Sequence, residues 1–145
     1  MTTDAPSRRD IARRFIEALP HCRALKLTVD DVGDGEAVMS LPYADHLVGD
    51  PATGVIHGGA VSALMDTCGG TAVMAHPAGP AMTATLDIRI DYMRAATPGR
   101  TVTAKATCYH LTRSVAFVRA VAHDGDENDP VATAAGAFTV QGVKD

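Results

Sequence analysis

The stretch Gly54-Val55-Ile56-His57-Gly58-Gly59-Ala60-Val61-Ser62-Ala63-Leu64-Met65-Asp66 decides the fold of this chain. From residue 60 to residue 75 the side chains are small or apolar on almost every side of a helical projection. That pattern predicts a helix buried all round over about residues 57–75. His76-Pro77-Ala78-Gly79-Pro80 then stops it. Between Asp50 and Asp87 the only formal charge is Asp66. A carboxylate inside an apolar helix is costly, so it protonates, finds partners or does chemistry. Gly58 and Gly59 fall where the helix begins, and without a Cβ they leave its free backbone N–H groups open to close approach. The stretch therefore predicts a buried helix with an anion-favouring N-terminus and one interior acid.

Outward from this helix the chain alternates. Residues 25–32 and 36–41 flank Gly33-Asp34-Gly35, a hairpin signal. Residues 42–53 form a loop. After the helix, strands are expected over 82–93, 101–111, 114–123 and 131–140, with the acidic turn Asp124-Gly125-Asp126-Glu127-Asn128-Asp129-Pro130 before the last. In 82–93, Leu86, Ile88, Ile90 and Tyr92 alternate with Asp87, Arg89 and Asp91. Near the start, Ser7-Arg8-Arg9-Asp10 opens a helix as a capping box, Ile11, Phe15, Ile16 and Leu19 share one face, and Pro20 closes it. The simplest packing is an α+β fold, an antiparallel sheet wrapped around one long central helix. Residues 1–24 make a helical segment packing on the outside of a domain spanning 25–145.

With 145 residues, 46% hydrophobic and 21% charged, one domain with a proper core is expected. The run at 60–75 is shorter than the roughly 20 residues a membrane span needs, and the first nine residues lack an apolar signal core, so a cytoplasmic protein is expected, with no membrane partner. A net charge of -4 argues against a nucleic-acid partner. Cys22, Cys68 and Cys108 are widely spaced and odd in number, which predicts reduced, mostly buried thiols. The histidines have no metal-ligand spacing, and no metal is assigned.

The stretch Gly54-x-x-His57-Gly58-Gly59, with Asp66 nine residues after the histidine, resembles the signature of hotdog-fold acyl-CoA thioesterases, and within them the PaaI-like (phenylacetic-acid-degradation) group. The likeness continues through residues 85–94, through His110-Leu111-Thr112-Arg113-Ser114 and through the small-residue strand at 132–138. It implies a hotdog fold and hydrolysis of an acyl-CoA, aromatic or of short to medium chain, to free acid and coenzyme A. Coenzyme A would be part of the substrate, with no separate cofactor. The resemblance makes Asp66 the catalytic carboxylate and Gly58 the donor that polarises the thioester carbonyl. Thr85 matches a position that holds water, and Arg113 and Ser114 match contacts to the nucleotide. Arg89, Arg94 and Arg100 are further candidates for the phosphates. The chain departs from the pattern at Pro51, where many relatives carry Asn six residues before the histidine. Asp50, one residue earlier, is the candidate replacement. Gly70 stands where some relatives place a Thr.

The chemistry fits the residues. A helix N-terminus offers free N–H donors and the positive end of the helix dipole to an oxyanion. Asp66 can serve as general base on water or as nucleophile. Gly58 and Asp66 are eight residues apart, about 12 Å along one helix, too far for a single carbonyl to touch both. Two antiparallel copies bring Gly58 of one beside Asp66 of the other, so a homodimer or homotetramer with composite sites is expected. Other readings stand beside this one. Asp66 can be a structural acid bonded to Thr67 or Ser62, and His57 can orient the loop rather than act on substrate. Gly59 can serve close packing, and Met82 and Met93 can line an acyl tunnel or the core. The whole can be a non-catalytic acyl-thioester binder. A hydratase on the same fold is disfavoured, because its Asn-Pro-x-His pattern is absent.

Overall fold

The computed structural model describes residues 5–143; residues 1–4 of the expected N-terminal segment, and 144 and 145 of the expected domain, lie outside that description. The order is α1 (Arg8–Ala18), α2 (Pro20–Leu25), β1 (Thr28–Gly33), β2 (Glu36–Leu41), a 3-10 turn (Asp45–Leu47), β3 (Val48–Asp50), β4 (Val55–Ile56), α3 (Gly58–Met74), β5 (Met82–Tyr92), β6 (Val102–Leu111), β7 (Val115–His123) and β8 (Ala132–Gln141). Six strands form one antiparallel sheet in the order β1-β2-β6-β7-β8-β5, leaving β1 and β5 as its edges.

The sheet curls around α3. Its inner face is paved with small side chains: Ala104 and Ala106 on β6, Ala116, Ala120 and Ala122 on β7, and Ala132 and Ala134 on β8 are all buried. Small residues let helix and sheet approach closely. Gly69 of α3 shows how closely, since a Cβ there would lie 2.9 Å from the Phe138 ring. Leu64, Met65, Cys68, Ala72 and Val73 fill the interface. The three cysteines are free and buried, and burial pushes the Cys68 thiol up to about 12.

Three expectations change. First, α3 is not buried all round. Gly58, Gly59, Ser62, Ala63, Asp66, Thr67, Gly70 and Met74 keep exposure along one stripe at helical spacing. Second, Pro20 ends α1 but also opens α2 as its first residue, where its missing N–H costs nothing. Third, residues 42–53 are not all loop, because β3 pairs with β4 in a small hairpin that leads into α3.

The capping box at Ser7 and Asp10 forms as expected. Of the apolar face of α1, only Ile16 is fully buried, while Phe15 stays 60% exposed. Among the described residues, no helix is long and apolar enough to cross a membrane.

Candidate active site

The start of α3 is held by its own cap. His57 is the N-cap residue, and its Nδ1 accepts the Gly59 N–H at 2.8 Å. The His57 N–H donates to the Leu47 carbonyl at 2.7 Å, and its carbonyl accepts from Ala60 at 3.0 Å. Glycine at 59 preserves this cap, because a Cβ there would sit 2.8 Å from that same Nδ1 and push the ring aside. Gly49 is required for a similar reason: a Cβ would lie 2.8 Å from the His57 Cα, where β3 crosses the helix start. These bonds use the neighbouring donors. Among the described residues, the Gly58 N–H makes no hydrogen bond. One free donor remains at the positive end of the helix dipole.

Asp66 lies two turns further along the same exposed stripe. Its Oδ1 accepts from the Thr85 hydroxyl of β5 at 2.7 Å. Its Oδ2 accepts nothing from the described residues. The partner is therefore Thr85 rather than Thr67 or Ser62. Ser62 instead donates to the Gly58 carbonyl at 3.1 Å. The Tyr92 hydroxyl lies 2.8 Å from that carbonyl and is within hydrogen-bonding reach of Ser62 as well, so the two protons of this hydroxyl pair make two of the three bonds at a time. Tyr92 was not singled out in the sequence. Its signal was its place at the end of the apolar alternation in β5, where a polar hydroxyl on the helix-facing side needs a partner.

A cavity of about 410 Å³ opens beside Asp66. Asp66, Thr67, Gly70 and Met74 of α3 line it together with residues 81–85 of the chain, and α1 closes its far side. Met82 belongs to this cavity, whereas Met93 does not, and both are exposed rather than part of the core.

The remaining candidates lie elsewhere. Asp50 is turned into its own hairpin. Its Oδ1 accepts from the Ala52 N–H at 3.0 Å and its Oδ2 from the Thr53 hydroxyl at 2.7 Å. The Thr53 hydroxyl bond, with the Ala52 N–H, holds this carboxyl below the usual range. Arg113 and Ser114 sit in the turn between β6 and β7, which Thr112 closes onto Val115. Arg113 lines a second cavity, of about 760 Å³, with His76, Tyr109 and His110. Arg94 is not free for a phosphate, because it forms a two-point ion pair with Asp124 and a further one with Asp129. Arg89 pairs with Asp91 at 3.2 Å on the surface.

A sequence model described as thioesterase superfamily matches residues 53–131, more than half of the chain. The chain belongs to the thioesterase superfamily. A crystal structure from Pseudomonas aeruginosa is 40% identical, over 92% of this chain and 98% of that one, with a TM-score of 0.82. A variant of the phenylacetic acid degradation protein PaaI from Thermus thermophilus is 28% identical, over 83% of this chain and 98% of that one, with a TM-score of 0.73. A Halobacterium salinarum protein named as a proposed esterase is 39% identical over 75 residues, so the chain spans about half the length of this curated relative. The chain thus has the hotdog fold and the PaaI-like kinship its sequence implies. The matched segment contains His57, Gly58, Gly59, Asp66, Thr85, Arg113 and Ser114, and leaves out Asp50.

Proposed function

We propose that this chain is an acyl-CoA thioesterase whose active site is shared between two copies. One observation carries the reading. The Asp66 carboxylate, fixed by Thr85 with one oxygen free, opens onto an apolar cavity on the same stripe of α3 that ends in the unpaired Gly58 N–H. Water attacks the thioester carbonyl carbon while Asp66 takes its proton. The oxyanion that forms points to the Gly58 N–H of the second copy, and the C–S bond then breaks, with the proton passing to the leaving thiolate. Direct attack by Asp66 to give an anhydride, then hydrolysed, uses the same geometry.

The second copy is favoured by what the chain leaves uncovered. The α3 stripe is open, and β5 is an edge strand of 11 residues carrying exposed Met82, Leu86 and Tyr92. An unpaired edge with apolar side chains is a template for a further strand. Residues of the β6–β7 turn, Arg113 and Ser114, are assigned to the nucleotide end of the substrate. His57 and Gly59 position the donor.

A thiol-release assay over a panel of acyl-CoA esters tests this. Asp66→Asn is expected to lose about 10²–10⁴-fold in kcat while keeping the oligomer; equal turnover removes Asp66 from the mechanism. Gly58→Pro removes the donor at the helix position where proline is best tolerated. Mixing inactive Asp66→Ala and Gly58→Pro chains is expected to restore turnover, and no recovery contradicts the shared site. Two observations favour a second reading, a non-catalytic thioester binder: both carboxylate oxygens of Asp50 are engaged in its own turn, and position 51 is proline where many relatives carry Asn. Ligand binding without turnover across the panel would establish that alternative.

A further inference from the structure

One wall of the cavity beside Asp66 comes from outside the matched segment. Phe15 and Ile16 of α1 form it with Leu19 just past its end, and all three come well before residue 53. The edges of the sheet are β1 and β5, and α1 packs along β1. Across the cavity it faces the start of β5, beside the C-terminal half of α3, and leaves the helix start uncovered. Ile16 anchors it in the core at 3% exposure, while the neighbouring Phe15 ring has little cover of its own.

The lining has a definite chemistry. Apart from Asp66 and a few threonines its side chains are apolar, and among the described residues no Lys, Arg or His lines it. A carboxylate on the acyl group would face Asp66 across this apolar lining. The volume, about 410 Å³, lies in the range that encloses a small organic ligand. Gly70 keeps the floor open. A Cβ at 70 would meet the Phe138 ring at 3.8 Å and the Thr83 Cγ2 at 4.0 Å, ordinary contacts that an alanine satisfies without strain. Its methyl group would then occupy space now in the cavity.

Building on the hydrolase reading above, we infer that α1 forms the outer wall of the acyl site and that Phe15 and Gly70 set the size of the acyl group it admits, disfavouring acetyl and a carboxylate-bearing acyl group. Phe15 covers the admitted group and Gly70 makes room for it. The acyl size is thus set partly by a helix that precedes the matched segment in the chain.

The test compares wild type, Phe15→Ala and Gly70→Ala on acetyl-, hexanoyl-, decanoyl-, benzoyl- and succinyl-CoA. It reads kcat/KM, and separately the affinity for non-hydrolysable thioether analogues of the same esters. Wild type is expected to prefer hexanoyl over acetyl and to reject succinyl, each by at least about tenfold, as a few buried methylenes or one unpaired charge would give. Phe15→Ala is expected to shrink the hexanoyl-to-acetyl ratio at least about threefold, and Gly70→Ala to move the optimum to shorter acyl groups. A selectivity profile that neither substitution moves overturns the pocket assignment, as does equal acceptance of succinyl. Selective analogue binding without turnover keeps the pocket and removes the hydrolase. Turnover with no acyl preference does the reverse, and no binding of any analogue overturns both.

Discussion

At the scale of single residues, the site rests on who bonds to whom along one helix face. Asp66 is placed by one hydroxyl, that of Thr85. A hydrogen bond to a charged group contributes about 1.5–3 kcal/mol. Thr85→Val, which keeps the shape but not the donor, is therefore expected to lower kcat by about tenfold or more, and Thr85→Ser to restore most of it. Steady-state kinetics of the two variants on one acyl-CoA checks this; equal rates for Val and Ser would show that the hydroxyl does nothing for the carboxylate. Gly58 is placed from the other side. Tyr92 and Ser62 satisfy its carbonyl, and His57 satisfies the neighbouring N–H, so the Gly58 N–H is left as the free donor.

At the scale of elements, the decisive feature is a bulge in β5. Thr85 pairs with Phe138 and Tyr92 with Ala132, both of which face α3. Directly opposite residues share a face, so Thr85 and Tyr92 both point toward the helix. They are seven positions apart, and strict alternation would put them on opposite faces. The register shift between Thr85 and Asp87 supplies the extra residue, Leu86, which is 57% exposed. Gly136 on β8 makes the shift possible, because a Cβ there would lie 2.7 Å from the Asp87 carbonyl oxygen. Gly136→Ala is expected to destabilise the chain by about 1–3 kcal/mol, as forced overpacking does, and to lower turnover by disturbing both hydrogen bonds. Denaturant unfolding together with the thiol-release assay measures it; a variant of unchanged stability would mean that the backbone at 87 yields freely.

At the scale of the whole molecule, one ion pair ties the end of β5 to the turn after β7. Asp124 accepts two bonds from the Arg94 guanidinium and one from the Thr97 N–H at 2.7 Å. The Arg94 bonds, with Thr97, hold the Asp124 carboxyl well below the usual carboxylate range. Its folded-state pKa is depressed, so the unfolded chain binds more protons in acid. The stabilisation is fully present above the ordinary range of about 4 and is lost as pH falls through and below it. Asp124→Asn is expected to cost about 2 kcal/mol at neutral pH, less than a fully enclosed pair, because the Arg94 side chain is 28% exposed. The difference from wild type should narrow as pH is lowered. Unfolding midpoints from pH 7 to pH 3 report it, and a gap that stays constant with pH would assign the loss to packing instead.

Much of this was legible in order along the chain. The two turn-bounded hairpin strands, the capping box, the four later strands and the long helix followed from periodicity and from Gly and Pro, which act locally. The Asp66 and Gly58 spacing was legible too, since it depends only on helical rise. Leu86 falls in step with Ile88, Ile90 and Tyr92 in the sequence, because a bulge leaves no mark in a local alternation; its actual place depends on Gly136, fifty residues away. Asp50 is the sequence's candidate to replace the Asn absent at Pro51, but an Asx-type turn with Ala52 and Thr53 uses its carboxylate. Arg94 looked available to a phosphate, but Asp124 holds it from across the sheet. The sequence by itself determined an antiparallel sheet around one acid-bearing helix, because side-chain period and backbone restriction are properties of neighbours in the chain. Only the tertiary structure decided which face of that helix stays open, that Thr85 and Tyr92 meet it, and that α1 walls the cavity, because each depends on contacts between segments far apart in sequence.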